Sequence, residues 1–191
     1  MIRQLRAFPN QLTLLRLTFI PFIIMTVMDE HYGWALGLFI AAGVSDLLDG
    51  LLARWLKQKT VLGQYLDPIA DKLLLSTCFL LLSVRHLIPW RVTSLVFSRD
   101  ILILVVCAVV WATTNVRDFR PSWFGKANTV SEILTVPFVL LHQVTAAQWV
   151  DVGRKITLVG TFVLTIVSGV HYVWLIGQRL RAQHTGKSAA A

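Results

Sequence analysis

Asp46, Asp49, Asp67 and Asp71 stand in stretches that are otherwise apolar. Ionisable groups in such surroundings are costly, so each calls for a partner or a function. On a helix, Asp46, Asp49, Gly50 and Ala53 fall at i, i+3, i+4 and i+7 and share one face. Gly63, Asp67 and Asp71 are spaced four apart and form a second stripe. If the two helices are neighbours, the four carboxylates converge. A glycine on each stripe lets backbones, or a substrate, come close. Carboxylates so placed repel one another unless a cation shares the site. Hard oxygen ligands suit Mg²⁺, Mn²⁺ or Ca²⁺, and Mg²⁺ typically combines a few carboxylates with substrate phosphate oxygens. Two such ions would clamp a phosphoryl group from both sides. Arg54, Lys57 and Lys59 follow closely and suit phosphate charge. The chemistry implied is transfer at a phosphate, at a membrane surface. The bland alternative makes the aspartates helix caps and surface charges, with Asp67 capping a helix. Their spacing and apolar context oppose it.

The elements that must position these residues follow from composition. The chain has 191 residues, 55% of them hydrophobic, and long runs with few charges recur. The mean hydropathy of +0.66 is that of a polytopic helical membrane protein rather than a soluble domain. A net charge of +8 raises the question of nucleic acid. The basic residues sit in short loops between apolar runs, however, so anionic head groups and membrane topology account for them and no nucleic-acid partner is expected. Cys78 and Cys107 lie within apolar runs and show no metal-type spacing.

The pattern predicts an all-α membrane protein with six spans and an N-terminal amphipathic helix. Residues 1–9 read as a basic lead-in on the membrane surface rather than a cleaved signal. The predicted spans are 11–28, 34–57, 65–84, 91–113, 127–141 and 152–178. Pro68 is expected in the first turn of the third, and Pro137 is expected to kink the fifth. Residues 1–182 read as one membrane domain and 183–191 as a disordered tail. Loop charges set the orientation. Arg3, Arg6, Arg54, Lys57, Lys59, Arg117, Arg120, Lys126, Arg179, Arg181 and Lys187 fall on one side, against Arg85, Arg91, Arg154 and Lys155 on the other. Both termini and the aspartate motif are therefore expected on the cytoplasmic side of a bacterial or organellar inner membrane.

The run Asp46-x2-Asp49-Gly50-x2-Ala53-Arg54-x8-Gly63-x3-Asp67-x3-Asp71 resembles the signature of the CDP-alcohol phosphotransferases, with every signature position present. The resemblance covers roughly residues 9–178. It implies a six-helix bundle, commonly a homodimer, that moves a substituted phosphate from a CDP-linked donor, usually CDP-diacylglycerol, to an alcohol with release of CMP. It implies two divalent ions, Mg²⁺ or Mn²⁺, with Asp46, Asp49, Asp67 and Asp71 as ligands and Asp71 also as general base. It places Gly50, Ala53, Arg54 and Gly63 at the nucleotide, with Arg54 on the donor phosphates, and adds Asn10 and Thr13 from the opening Pro9-Asn10-Gln-Leu-Thr13-Leu-Leu-Arg16. An alcohol holds its proton tightly, so a carboxylate must take it as the new bond forms.

Two subfamilies are near. The phosphatidylglycerolphosphate synthases use glycerol 3-phosphate, and the cardiolipin synthases use phosphatidylglycerol. Ser98-Arg99-Asp100, Lys126-Ala-Asn128-Thr129 and the Leu after Asp46 resemble the second group, although Gly125 departs from its pattern. A lysine at 128 would help to hold a dianionic monoester, and its absence suits a singly charged phosphodiester. Arg99, Lys126, Arg117 and Arg120 are the candidate acceptor-binding cations. Each has a plainer reading, an Arg99–Asp100 ion pair locking the fourth helix or ordinary loop charge. Glu132 needs a partner inside the fifth helix, in Lys126 or a fourth-helix residue, or a place near the acceptor. His31, His86, His142, His171 and His184 form no ligand pattern. A small cation transporter would use the same carboxylates, but it needs a path to both faces, and the acids lie towards one.

Overall fold

A computed structural model describes the backbone over residues 8–55, 61–113 and 123–188, and side chains over 16–48, 69–105, 123–174 and 177–178. Among these residues every regular element is an α-helix. Helix α1 is Phe8–Met28, α2 Tyr32–Trp55, α3 Val61–Val84, α4 Trp90–Thr113, α5 Trp123–Val144 and α6 Gln148–Ser188. These are the six helices expected, with shifted ends. Helix α3 begins four residues early, so Pro68 falls in its third turn, not its first. Helix α5 runs on through Pro137, and α1 through Pro21. Helix α6 carries its backbone to Ser188, across residues 183–188 that the sequence reading assigned to a tail. The amphipathic lead-in falls largely on residues 1–7, outside the described residues.

The helices close into a ring. Helix α1 packs on α2 and α3, α2 on α5, α5 on α6, and α6 on α4, while α3 meets α4 and α5 more lightly. Ile23 and Val27 of α1, Phe79 and Leu82 of α3, and Val136, Val139 and Leu140 of α5 fill the centre. Small residues let α5 and α6 approach. A Cβ on Gly153 would lie 2.3 Å from the Phe138 ring, and one on Gly160 3.3 Å from Ser131 Oγ. Close approach through small residues and interhelical hydroxyls is how helices associate when lipid removes the hydrophobic drive. Ser131, Thr135 and Thr161 share hydrogen bonds of 2.9 Å across this contact.

Three connections lie at one end. After α1, His31 N–H donates to Thr26 C=O and Glu30 N–H to Val27 C=O. After α3, Leu87 N–H donates to Leu82 C=O and His86 N–H to Ser83 C=O. Both are Schellman ends, with Glu30 (φ 61°) and His86 (φ 58°) where glycine is usual. Arg85 pairs with Glu30, joining these two turns. Gly33 sits beside Val144, which brings in the α5–α6 connection.

Large apolar side chains cover much of the outside, among them Trp34, Leu47, Leu104, Val130, Val163 and Trp174. Among the described residues, Gln148–Trp174 is long and apolar enough to cross a membrane, and Arg16–Met28 and Tyr32–Leu48 are shorter apolar helices.

Candidate active site

Asp46 on α2 and Asp71 on α3 meet at Arg16 of α1. One guanidinium nitrogen, Nη1, donates to Asp71 Oδ1 and the other, Nη2, to Asp46 Oδ1. Helix α1 packs on both α2 and α3, so a single arginine can fork between them. Arg16 is 1% exposed. The acids are not sealed in with it, because their side chains are 40% and 48% exposed. The cation thus lies beneath two carboxylates that face outward. Beside them a cavity of about 300 Å³ opens between α1, α2, α3 and α5. Arg16, Asp46 and Asp71 form its polar corner, and Phe39, Leu74 and Ile133 belong to its apolar walls. A mainly apolar cavity with a few convergent polar groups is the usual form of a ligand site.

A second polar cluster lies deeper, where α3, α4, α5 and α6 meet. Lys72 Nζ donates to Asp100 Oδ2 at 2.6 Å and lies 3.6 Å from Glu132 Oε2. Arg99 donates to Asp100 Oδ1 at 2.9 Å and to Ser168 Oγ at 3.0 Å. Asn128 Nδ2 donates to Glu132 Oε1 at 2.7 Å, and Thr165 Oγ1 donates to Asn128 Oδ1 at 2.9 Å. Two cations and two anions balance, and hydrogen bonds tie four helices together.

Of the residues singled out in the sequence, the structure therefore brings Asp46 and Asp71 together. The helical backbone is continuous through 46–53 and through 63–71, so the spacings that define both stripes hold. The side chains of Asp49, Gly50, Ala53, Arg54, Gly63, Asp67, Asn10 and Thr13, and the whole of Arg117 and Arg120, lie outside the described residues. Arg99 is engaged by Asp100 and Ser168, the ion-pair alternative weighed above. Lys126 is exposed and lies 5.5 Å from the Trp123 ring centre. Glu132 takes Lys72 and Asn128 as partners, not Lys126. Asn128 is fully buried and bonded on both sides, so the argument that a lysine here would reach an acceptor phosphate finds no support in its position. Arg16 and Lys72 were missed as partners. The rule that flagged the aspartates, that a charge in an apolar helix needs a reason, applied equally to both.

The chain matches the CDP-alcohol phosphatidyltransferase family over residues 6–176. The chain belongs to this family. Among its relatives, one from Rattus norvegicus named cardiolipin synthase (CMP-forming) is 33% identical over 147 residues, 67% of this chain and 48% of that protein. The chain thus spans about half the length of that relative. A probable phosphatidylglycerophosphate synthase of Mycobacterium tuberculosis is 31% identical over 173 residues, covering 86% and 78% of the two chains. A CDP-diacylglycerol–glycerol-3-phosphate 3-phosphatidyltransferase of Aquifex aeolicus is 32% identical over 168 residues, covering 86% and 92%. Family members take a CDP-alcohol and an alcohol acceptor and generally use divalent metal ions. The described residues fit such an ion: two carboxylates offer hard oxygens to the outside, already drawn together by one cation. Among the described residues no three metal-binding side chains cluster.

Proposed function

We propose that this chain is an integral membrane phosphatidyltransferase that moves phosphatidyl from CDP-diacylglycerol to phosphatidylglycerol, releasing CMP and forming cardiolipin. The observation that carries the reading is the meeting of Asp46 and Asp71, from the two motif helices, in the polar corner of an apolar cavity. In this reading all six helices cross the membrane, both termini are cytoplasmic, and the protein works as a homodimer. A 24-residue helix such as α2 is about 36 Å long, enough to span a hydrocarbon core of about 30 Å. The apolar exterior supports the same assignment.

Asp46, Asp49, Asp67 and Asp71 hold the divalent ions, Mg²⁺ or Mn²⁺, which when bound offset charge on the diphosphate and on departing CMP. Arg54 meets the donor phosphates, and the small residues Gly50, Ala53 and Gly63 admit the cytosine. Asp71 takes the proton of the acceptor hydroxyl as its oxygen bonds to the phosphatidyl phosphorus and the bond to CMP breaks. The apolar cavity beside Asp46 and Asp71 keeps water from competing as acceptor. The acceptor assignment rests on the resemblance of Ser98-Arg99-Asp100 and Lys126-Ala-Asn128-Thr129 to the cardiolipin synthases. Lys126, Arg117 and Arg120 are its candidate binding cations, while Arg99, held by Asp100 and Ser168, takes the ion-pair role.

Glycerol 3-phosphate is the second reading, favoured by one observation. The chain spans 92% of the Aquifex aeolicus relative named for that acceptor. Purified protein with Mg²⁺ or Mn²⁺ and CDP-diacylglycerol, offered phosphatidylglycerol and glycerol 3-phosphate in separate reactions, distinguishes the two. Cardiolipin and CMP from the first alone support the proposal. Phosphatidylglycerolphosphate from the second transfers the assignment to the other acceptor. CMP from neither, with other alcohols also inert, removes the enzymatic reading.

A further inference from the structure

Arg16 has no role in the chemistry outlined above, yet it is a buried charge in contact with both acids. Its Nη1 and Nη2 hold one oxygen of Asp71 and one of Asp46. It is 1% exposed and lies under the carboxylates, while they remain 40% and 48% exposed. Among the described residues its buried Nε has no hydrogen-bond partner. An arginine carries its positive charge on a planar fork that can reach two carboxylates at once. Two carboxylates from different helices, brought this near to each other, need such a charge between them.

We propose that Arg16 is a resident cation of the metal site. It draws Asp46 and Asp71 together in the metal-free protein and opposes the entry of a divalent ion between them. The inference rests on the proposed metal-binding role of these two acids and adds a regulation of that site. Among the described residues Asp46 and Asp71 bring two negative charges and Arg16 returns one, so Arg16 weakens the pair's attraction for a cation without cancelling it. That attraction is weakened by a fixed charge one hydrogen bond from both ligands. Charge also dominates over orientation. Losing a residue that only orients metal ligands weakens binding, by about 10–100-fold. Removing a like charge this close strengthens it, and in a partly buried site a unit charge beside a divalent ion outweighs that loss. The sign of the change therefore separates the two roles. Bound metal also makes Arg16 surplus, so the metal-free and metal-loaded proteins should respond oppositely to its loss.

The test is Mn²⁺ binding to the full chain in detergent, followed by electron paramagnetic resonance, with thermal unfolding measured with and without Mn²⁺. Arg16→Gln should bind Mn²⁺ about tenfold or more tightly than the parent. It should unfold at lower temperature without metal and gain more from saturating Mn²⁺. Arg16→Lys keeps a charge but loses the fork that reaches both acids, so its affinity should fall between the two. If Arg16→Gln does not fold, Arg16→Lys carries the same sign. Weaker or unchanged Mn²⁺ affinity in the folded variants overturns the inference and makes Arg16 a positioning residue. Asp46→Asn is the control for the underlying reading. A parent that binds Mn²⁺ no better than Asp46→Asn removes Asp46 from the metal site, and the inference falls with it.

Discussion

Lys72→Met tests whether the cluster between α3 and α6 is a closed, charge-balanced structure. Lys72 and Arg99 balance Asp100 and Glu132, and Glu132 is 1% exposed. Methionine keeps the length and apolar stem of lysine but leaves one negative charge uncompensated. Breaking a fully buried pair by removing one partner costs about 3–5 kcal/mol. Lys72 is 40% exposed, so water screens part of the loss, and about 2–3 kcal/mol is expected. For a chain of this length that lowers the unfolding temperature by about 5–10 °C. Glu132→Gln leaves one positive charge in excess, but Lys72 retains Asp100 and is 40% exposed, and a glutamine oxygen still accepts from Asn128, so it should cost less than Lys72→Met, about 1–2 kcal/mol. The double variant should be more stable than Lys72→Met alone, since the stranded charge is gone. Thermal unfolding of the four proteins in one detergent reads the cycle. If Lys72→Met unfolds within about 1 °C of the parent, or the double variant is the least stable of the four, the cluster is not organised by charge balance.

Gly153→Ala drives a methyl into the Phe138 ring and should destabilise by about 1–3 kcal/mol; pairing it with Phe138→Ala should relieve the clash, read by the same unfolding assay. His86→Gly should stabilise by about 1 kcal/mol, since His86 holds a left-handed conformation on an exposed turn; a lower unfolding temperature would count against the Schellman assignment. In the proposed reaction, Asp71→Asn should retain donor binding while CMP release falls by orders of magnitude; near-full turnover would remove Asp71 as the base.

The helices were legible because long apolar runs punctuated by turn residues leave few alternatives. Their ends were less so. The sequence reading began α3 at Tyr65, where the apolar run becomes continuous, but backbone hydrogen bonding starts at Val61 across a mixed segment. The turns at 29–33 and 85–89 were legible as breaks between apolar runs, but the left-handed conformation of Glu30 and His86 gave no local signal, because neither is the glycine usual there. Packing imposes it, through Schellman hydrogen bonds and the Glu30–Arg85 pair. The pairing of Asp46 with Asp71 was legible as shared helix faces. Which cation joins them was not, since Arg16 lies 30 and 55 residues away along the chain. The same holds for Lys72, which follows Asp71 directly but serves Asp100 and Glu132 on other helices.

A charge in an apolar helix marks a place worth explaining, and the structure shows that the mark alone does not separate chemistry from architecture. Both polar clusters carry it. Exposure and charge balance do the sorting. In the deeper cluster the charges cancel, Glu132 is sealed, and Asn128, Thr165 and Ser168 take up hydrogen-bonding capacity, so there is little left to recruit a ligand. At the acid pair the sum over the described residues is negative, both carboxylates are partly exposed, and an apolar cavity adjoins them. Asp49 and Asp67, on the same helical stripes, add to that imbalance in the proposed site. A fixed internal cation under the two acids holds the helices in place, and the negative charge of the proposed site is what would draw a divalent ion, and behind it a diphosphate, to this end of the bundle.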